Sequence, residues 1–227
     1  IKLDTGMHRL GFSPQDMPEL IERLKRQTSV IPRSVFSHLV GRDSDQFDSF
    51  TRNQIETFEK ASEELQAAFP HKILRHICNT AGIQRYPGAQ FEMVRLGLGL
   101  YGVDPYTNQM LHNVSTLKTT ILQIRDVPQE DSVGYSRKGR LNRNSRIAAI
   151  PIGYADGLNR RLGNGNAYCM VNGKKAPYVG NICMDVCMID VTDIDCKEGD
   201  KVIVFGDDLP VTVLSDVLGT IPYEILT

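Results

Sequence analysis

The interval between apolar residues changes once along this chain, and that change limits the folds open to it. Before about Gly102 the apolar side chains recur at helical spacing between short β-leaning runs; after about Val114 they alternate or come in short runs divided by turn residues. Ser13-Pro14-Gln15-Asp16 supplies an N-cap residue, a proline for the first helical position and an acid in the first turn. Met17, Leu20, Ile21 and Leu24 then predict a helix with one buried face. A second helix is predicted over about 45–68, with Phe50, Gln54, Phe58, Ala61 and Leu65 on one stripe and Pro70 stopping it. Strands are predicted over 34–39, 73–78 and 93–96, with Asn79-Thr80-Ala81-Gly82 as a turn of small residues. Strands and helices alternating at these lengths build a parallel α/β sheet. The second part reads as mostly β, with strands over 119–124, 147–152, 167–171, 186–191 and 201–205 and a hairpin signal at Asn172-Gly173. The fold class is α/β plus β, divided at the polar stretch 104–113 into domains 1–110 and 111–227.

Charge and composition remove several classes of function. The 26 basic and 27 acidic side chains leave a net charge of -1, so no broad field draws nucleic acid or an anionic membrane. No apolar run approaches the ~18–20 residues of a membrane span, and the first residues do not read as a signal peptide, which makes a cytoplasmic protein the default. Five cysteines with no C-x-x-C pair read as reduced thiols. Ile1 in place of Met, and the finish at Ile225-Leu226-Thr227, read as cuts through a folded unit of a longer protein. Arg137, Lys138, Arg140, Arg143 and Arg146 crowd one segment without an acid; this is a solvated loop, with an anion or nucleic-acid contact as the alternative.

Three features exceed what packing requires. Arg95 closes a predicted parallel strand and is followed by Gly97 and Gly99, where α/β sheets place ligand-facing loops and where glycine lets backbone amides approach an anion. Asn79 and Thr80 follow another such strand, as an anion site or a plain helix cap. Tyr135 and Tyr154 each sit beside glycine, as acid/base phenols or as packing at strand ends. His38 is a core histidine or a site residue. No zinc, serine-hydrolase or phosphate-loop motif occurs, and no metal is expected.

Together the segments IKLDTGMHRLGF (1–12), SHL around His38, HICNTAG (76–82), MVRLGLGLYG (93–102), VGYS (133–136), IPIGYADGLNRRL (150–162) and KAPYVGNICMDVCMIDVTD (175–193) resemble the alanine racemase family. The resemblance implies the C-terminal half of a pyridoxal phosphate (PLP)-binding (β/α)8 barrel followed by a β domain. It implies interconversion of L- and D-alanine, with D-alanine supplied to peptidoglycan, by a homodimer whose active sites are shared between subunits. Carried over by position, Arg95 faces the pyridine nitrogen and His38 bonds that arginine. Asn79, Thr80, the amides of Gly97 and Leu98, and the phenol of Tyr223 belong to the cofactor-phosphate end. Arg9 contacts the cofactor's phenolic oxygen and the substrate carboxylate, and Lys2 corresponds to a lysine carbamylated in many members. Tyr135 corresponds to one proton-transfer base, acting in the partner's site. Met184, through its backbone amide, and Asp185 line the carboxylate end, with Tyr154 and Arg160 at the entrance, again in the partner's site.

The family's second base is a lysine upstream of the region matching Ile1. On the resemblance, this polypeptide by itself is therefore expected to be inactive, with the apolar faces of a half barrel exposed. The alternatives are a broad-specificity amino-acid racemase, or a non-catalytic module of a fused muramoyl-tripeptide ligase.

Overall fold

Asp16 accepts the Ser13 N–H at 2.7 Å, so the single turn Pro14–Asp16 is closed before α1 (Met17–Lys25) begins. In α1, Met17, Leu20 and Ile21 are buried and Leu24 is packed against the same core. Strand β1 (Ser34–Phe36) follows, then α2 (Asp48–Ala67), β2 (Leu74–His76) and the short α3 (Thr80–Arg85). The computed structural model describes residues 1–41 and 44–227 and divides into two units, 1–100 with 104–109 and 101–103 with 110–227.

In the first unit the chain start and the two strands are parallel neighbours. Leu3 N–H donates to Phe36 and Phe36 N–H to Ile1, while β1 and β2 pair in register, Phe36 opposite His76. The core between them and the helices holds Leu3, Val35, Leu39, Phe58, Leu65, Ile73 and Ile77. Gln54 is fully buried on α2 and is satisfied: its side chain donates to the His38 carbonyl at 3.2 Å and accepts the Val40 N–H at 3.0 Å.

Three sequence expectations are corrected here. Residues 93–96 form no strand; one backbone bond, Arg95 N–H to the Cys78 carbonyl at 3.0 Å, ties them to the segment after β2. The turn expected over 79–82 opens α3 instead: the Asn79 side chain accepts the Gly82 N–H and caps the helix, in keeping with the helix-cap alternative for Asn79 and Thr80. Phe50 lies at the edge of the buried arc of α2 and stays 42% exposed, the buried face being Thr51, Gln54, Phe58, Ala61, Ser62 and Leu65.

The second unit carries β3 (Leu117–Thr120), β4 (Gln123–Val127), β5 (Ser132–Val133), β6 (Gly139–Arg140), β7 (Ser145–Ile150), β8 (Tyr168–Val171), β9 (Lys174–Val179), β10 (Cys187–Asp190) and β11 (Lys201–Phe205), then α4 (Val211–Leu218) and α5 (Tyr223–Leu226). Seven strands form one antiparallel sheet in the order β3-β11-β8-β9-β10-β7-β4, and β5 pairs with β6. Asn172 and Gly173, both at positive φ, make the predicted β8–β9 hairpin. The run expected over 119–124 is two strands at opposite edges of the sheet. Ile121 N–H donates to Asp200 and Leu122 N–H to Ala149, so the chain changes partners within two residues. Edges joined by so short a link require the sheet to curl. Its core includes Ile147, Ile150, Val171, Tyr178, Ile189 and Val202. No helix among the described residues is long and apolar enough to cross a membrane.

Candidate functional site

The parallel strands of the first unit bring their carbonyl ends to one place, and the Arg95 side chain lies across them. Its guanidinium donates to the carbonyl of Ser37 at 2.7 Å, of Ile77 at 3.3 Å and of His76 at 3.4 Å. In α/β barrels this end of the strands is where ligands are held. Arg95 also donates to His76 Nδ1 at 2.8 Å, and His38 Nδ1 stands 3.4 Å from Nη2.

His76 is the site residue that the sequence reading missed. A guanidinium can only donate, so His76 Nδ1 carries the lone pair and the ring is neutral with its proton on Nε2. Burial, and then the Arg95 charge, hold its pKa down to about 4. Nε2 is buried with no partner among the described residues, a cost that the Arg95 bond and the stack on Phe36 offset, the rings being 5.0 Å apart and 3° from parallel. The same Phe36 ring lies under the Arg95 guanidinium at 4.9 Å. Burial lowers the Arg95 pKa from its ordinary value, and raises that of the neighbouring Cys78 thiol to about 11, so this thiol is not a nucleophile.

Beside this group, Thr80 Oγ1 accepts the N–H of Gly97 at 2.9 Å and of Gly99 at 3.2 Å. A Cβ at Gly99 would stand 2.6 Å from Thr80 Cγ2, so glycine is required for the loop to close on the hydroxyl. The Gly97 amide is thus spent on Thr80, while the Thr80 hydroxyl proton and the Leu98 N–H have no acceptor among the described residues. Asn79 Nδ2 reaches to 3.5 Å from His38 Nε2. Arg95, His38, Asn79, Thr80, Gly97 and Leu98 are therefore drawn to one end of one unit. Lys2 lies over the Phe36 ring at 5.9 Å, and Arg9 is exposed; the structure records no bond between them.

The remaining sequence-derived residues belong to the second unit. Tyr135 is 71% exposed, just after Gly134 at positive φ. Met184 and Asp185 form the exposed tip of the turn joining the β9 segment to β10, and Tyr154 lies near Arg160, whose guanidinium is 5.9 Å from its ring. Tyr223 opens α5 and meets Tyr101 edge-on at 5.8 Å. In the basic segment Arg143 pairs with Asp193, Arg146 donates to the carbonyls of Ile194 and Cys196, and Arg137 to Ser132. These partners account for three of its five cations.

Residues 1–105 match the family "Alanine racemase, N-terminal domain" and residues 114–227 match "Alanine racemase, C-terminal domain". The alanine racemase of Aeromonas hydrophila is 38% identical over all of this chain and 63% of its own length, and alanine racemase 1 of Clostridium acetobutylicum 37% over all of this chain and 61% of its own. Among solved structures, the alanine racemase of Clostridium difficile superposes with a TM-score of 0.90 at 33% identity, covering all of this chain and 60% of that one. That of Bartonella henselae, which carries covalently bound pyridoxal phosphate, superposes with a TM-score of 0.84 at 32% identity, over all of this chain and 62% of that one. The chain spans about three fifths of the length of these relatives. With both family domains matched in order along it, the chain belongs to the alanine racemase family.

Proposed function

We propose that the protein carrying this chain is a PLP-dependent alanine racemase, interconverting L- and D-alanine in the cytoplasm as a supply of D-alanine for peptidoglycan. The observation that carries the reading is the half-buried Arg95 guanidinium at the carbonyl ends of the parallel strands, held by a neutral histidine beside a glycine-backed hydroxyl. These residues fit the cofactor. The loop at Gly99 closes on Thr80 only because no Cβ intervenes, and none of the described groups bonded to Arg95 is a carboxylate. Thr80 and the Leu98 amide would hold the phosphate, with Asn79 and Gly97 shaping the loop. Arg95 would hold the pyridine nitrogen and, being a cation, keep it unprotonated.

When bound, PLP supplies an electron-withdrawing ring that acidifies the α C–H of an amino acid joined to it. His76 keeps the Arg95 fork aimed, because a neutral acceptor draws it without adding charge, and His38 stands against the same fork. Tyr135 takes or returns a proton at Cα in the partner's site, an assignment supported by its exposure outside its own unit's core. By their correspondence to the family's residues, Arg9 would contact the substrate carboxylate, the amide of Met184 and Asp185 would line a carboxylate end, and Tyr154 and Arg160 would narrow an entrance, the latter pair in the partner's site. A carbamate on Lys2 would convert its positive charge to a negative one and steady Arg9. Residues acting in a partner's site make the assembly a homodimer.

The test is chiral chromatography of L-alanine incubated with the PLP-loaded full-length protein. D-alanine should accumulate to an equal mixture. Faster turnover of larger amino acids than of alanine would transfer the reading to a broad-specificity racemase, and no turnover of any amino acid would end it.

A further inference from the structure

Two peptide units of the turn Cys183–Val186 are anchored by an earlier segment of the chain. Tyr154 N–H donates to the Cys183 carbonyl and Ala155 N–H to the Met184 carbonyl, both at 3.0 Å, while Cys183 N–H closes the turn on the Val186 carbonyl at 3.1 Å. The peptide bonds are trans, and in a planar trans peptide the C=O and N–H point in opposite directions. Fixing the carbonyl of residue 183 therefore aims the N–H of Met184, and fixing that of residue 184 aims the N–H of Asp185. Both point away from the 153–155 segment. Neither amide has an acceptor among the described residues, and Met184 is 53% exposed, so each is available to an oxygen arriving from outside.

The anchoring segment can approach this closely only because residue 153 is glycine. A Cβ there would stand 2.1 Å from the Met184 oxygen, 2.4 Å from its carbonyl carbon and 2.5 Å from the Cys183 oxygen. All three neighbours are backbone, which has no side-chain rotamer to give way. The φ of Gly153 is −147°, extended, so the requirement is for space and not for handedness. Asp156 completes the staple: its carboxylate accepts the Gly153 N–H at 2.9 Å and its own N–H donates to the Gly153 carbonyl at 3.1 Å.

We propose that Gly153 and Asp156 are positioning residues for carboxylate recognition, setting the two peptide planes that aim the Met184 and Asp185 amides at the substrate's carboxylate. This rests on the reading above that the Met184 amide receives that carboxylate. Neither residue touches substrate; both act through the backbone of the turn.

The test uses the PLP-loaded full-length protein labelled with 15N-methionine, with the Met184 amide assigned by its loss in Met184→Leu. The probe is propionate, a carboxylate with no amino group. In the native protein the Met184 resonance should move on titration. Gly153→Ala should weaken propionate binding by about tenfold, as loss of one well-placed bond to a charged group does. KM for alanine should rise in parallel and kcat should change much less, with the Met17 and Met170 resonances unmoved as a check on both units. Asp156→Ala should weaken binding by a smaller factor, and Asp156→Asn, which keeps an acceptor oxygen, should restore it; this pair also stands if Gly153→Ala does not fold. Native affinity for propionate in Asp156→Ala or in folded Gly153→Ala would overturn the positioning role. A Met184 amide in the native protein that ignores propionate would instead overturn the reading on which the proposal rests.

Discussion

Replacing His76 by glutamine should remove a specific part of the protein's sensitivity to acid. In the folded protein His76 is neutral, its pKa held near 4 by burial and by Arg95, whereas in the unfolded chain it returns to about 6.5. Below pH 6.5 the unfolded state therefore binds a proton that the folded state refuses, so stability falls as the pH drops from about 6.5 to about 4 and is unaffected by this group above that window. The gap between the two values corresponds to about 3 kcal/mol, of which about 2 kcal/mol is lost between pH 7 and pH 5. His76→Gln keeps an acceptor for Arg95 and cannot titrate. Urea unfolding followed by far-ultraviolet circular dichroism reports the first unit, whose α1 and α2 are its longest helices. Between pH 7 and pH 5 the native protein should lose about 2 kcal/mol more than the variant. Equal losses in the two proteins would refute a buried neutral histidine at this site.

Further perturbations test other parts of the account. Phe58→Ala empties a fully buried position that meets the Phe91 ring edge-on at 5.4 Å, and should cost about 3–5 kcal/mol by urea unfolding. Glu92 is held by Arg75 through its guanidinium and its backbone N–H, with a pKa brought down to about 2; Glu92→Gln should cost roughly 1–3 kcal/mol at neutral pH. The stabilisation from this carboxylate is complete above its unfolded value of 4.5 and is lost as the pH falls from there towards 2, so the native protein and Glu92→Gln should converge in stability in acid. Gly99→Ala forces the loop off Thr80 and should lower PLP affinity by roughly tenfold or more, read by the absorbance of bound cofactor. Unchanged affinity would remove this loop from the phosphate end.

How much of this was legible in the sequence depended on whether the signal was local. The two main helices show in their 3.6-residue period, and the β8–β9 hairpin in Asn172-Gly173, because each depends on neighbouring residues. Residues 93–96 look like a strand by composition, yet a strand needs a ladder, and among the described residues only Arg95 N–H finds a partner beside β2. The split of 119–124 between opposite sheet edges is equally non-local, being set by Asp200 and Ala149 far along the chain. Arg95, Thr80 and His38 could be picked out because each lies near glycine or small residues where the sequence predicts an element boundary, although for Arg95 the predicted strand itself is not formed. His76 could not be, since inside a strand it reads as an ordinary alternating position. A histidine at the end of one parallel strand, opposite Phe36 of the next, is the signal that would have found it. Gly153 was visible only as a neighbour of Tyr154; its reason for being glycine is the carbonyl of Met184, thirty-one positions away.

The most direct test of the central claim is exchange of the α-hydrogen of alanine with solvent. The PLP-loaded full-length protein is placed in deuterium oxide with L-alanine or with D-alanine, and deuterium at Cα is followed by NMR together with the chirality of the amino acid. Two bases on opposite faces of Cα should give incorporation and inversion from either antipode, and Tyr135→Phe should suppress racemisation strongly in both directions while PLP remains bound. Inversion in Tyr135→Phe at the native rate would contradict the role of Tyr135, and absence of both exchange and inversion in the native protein would contradict the racemase reading itself.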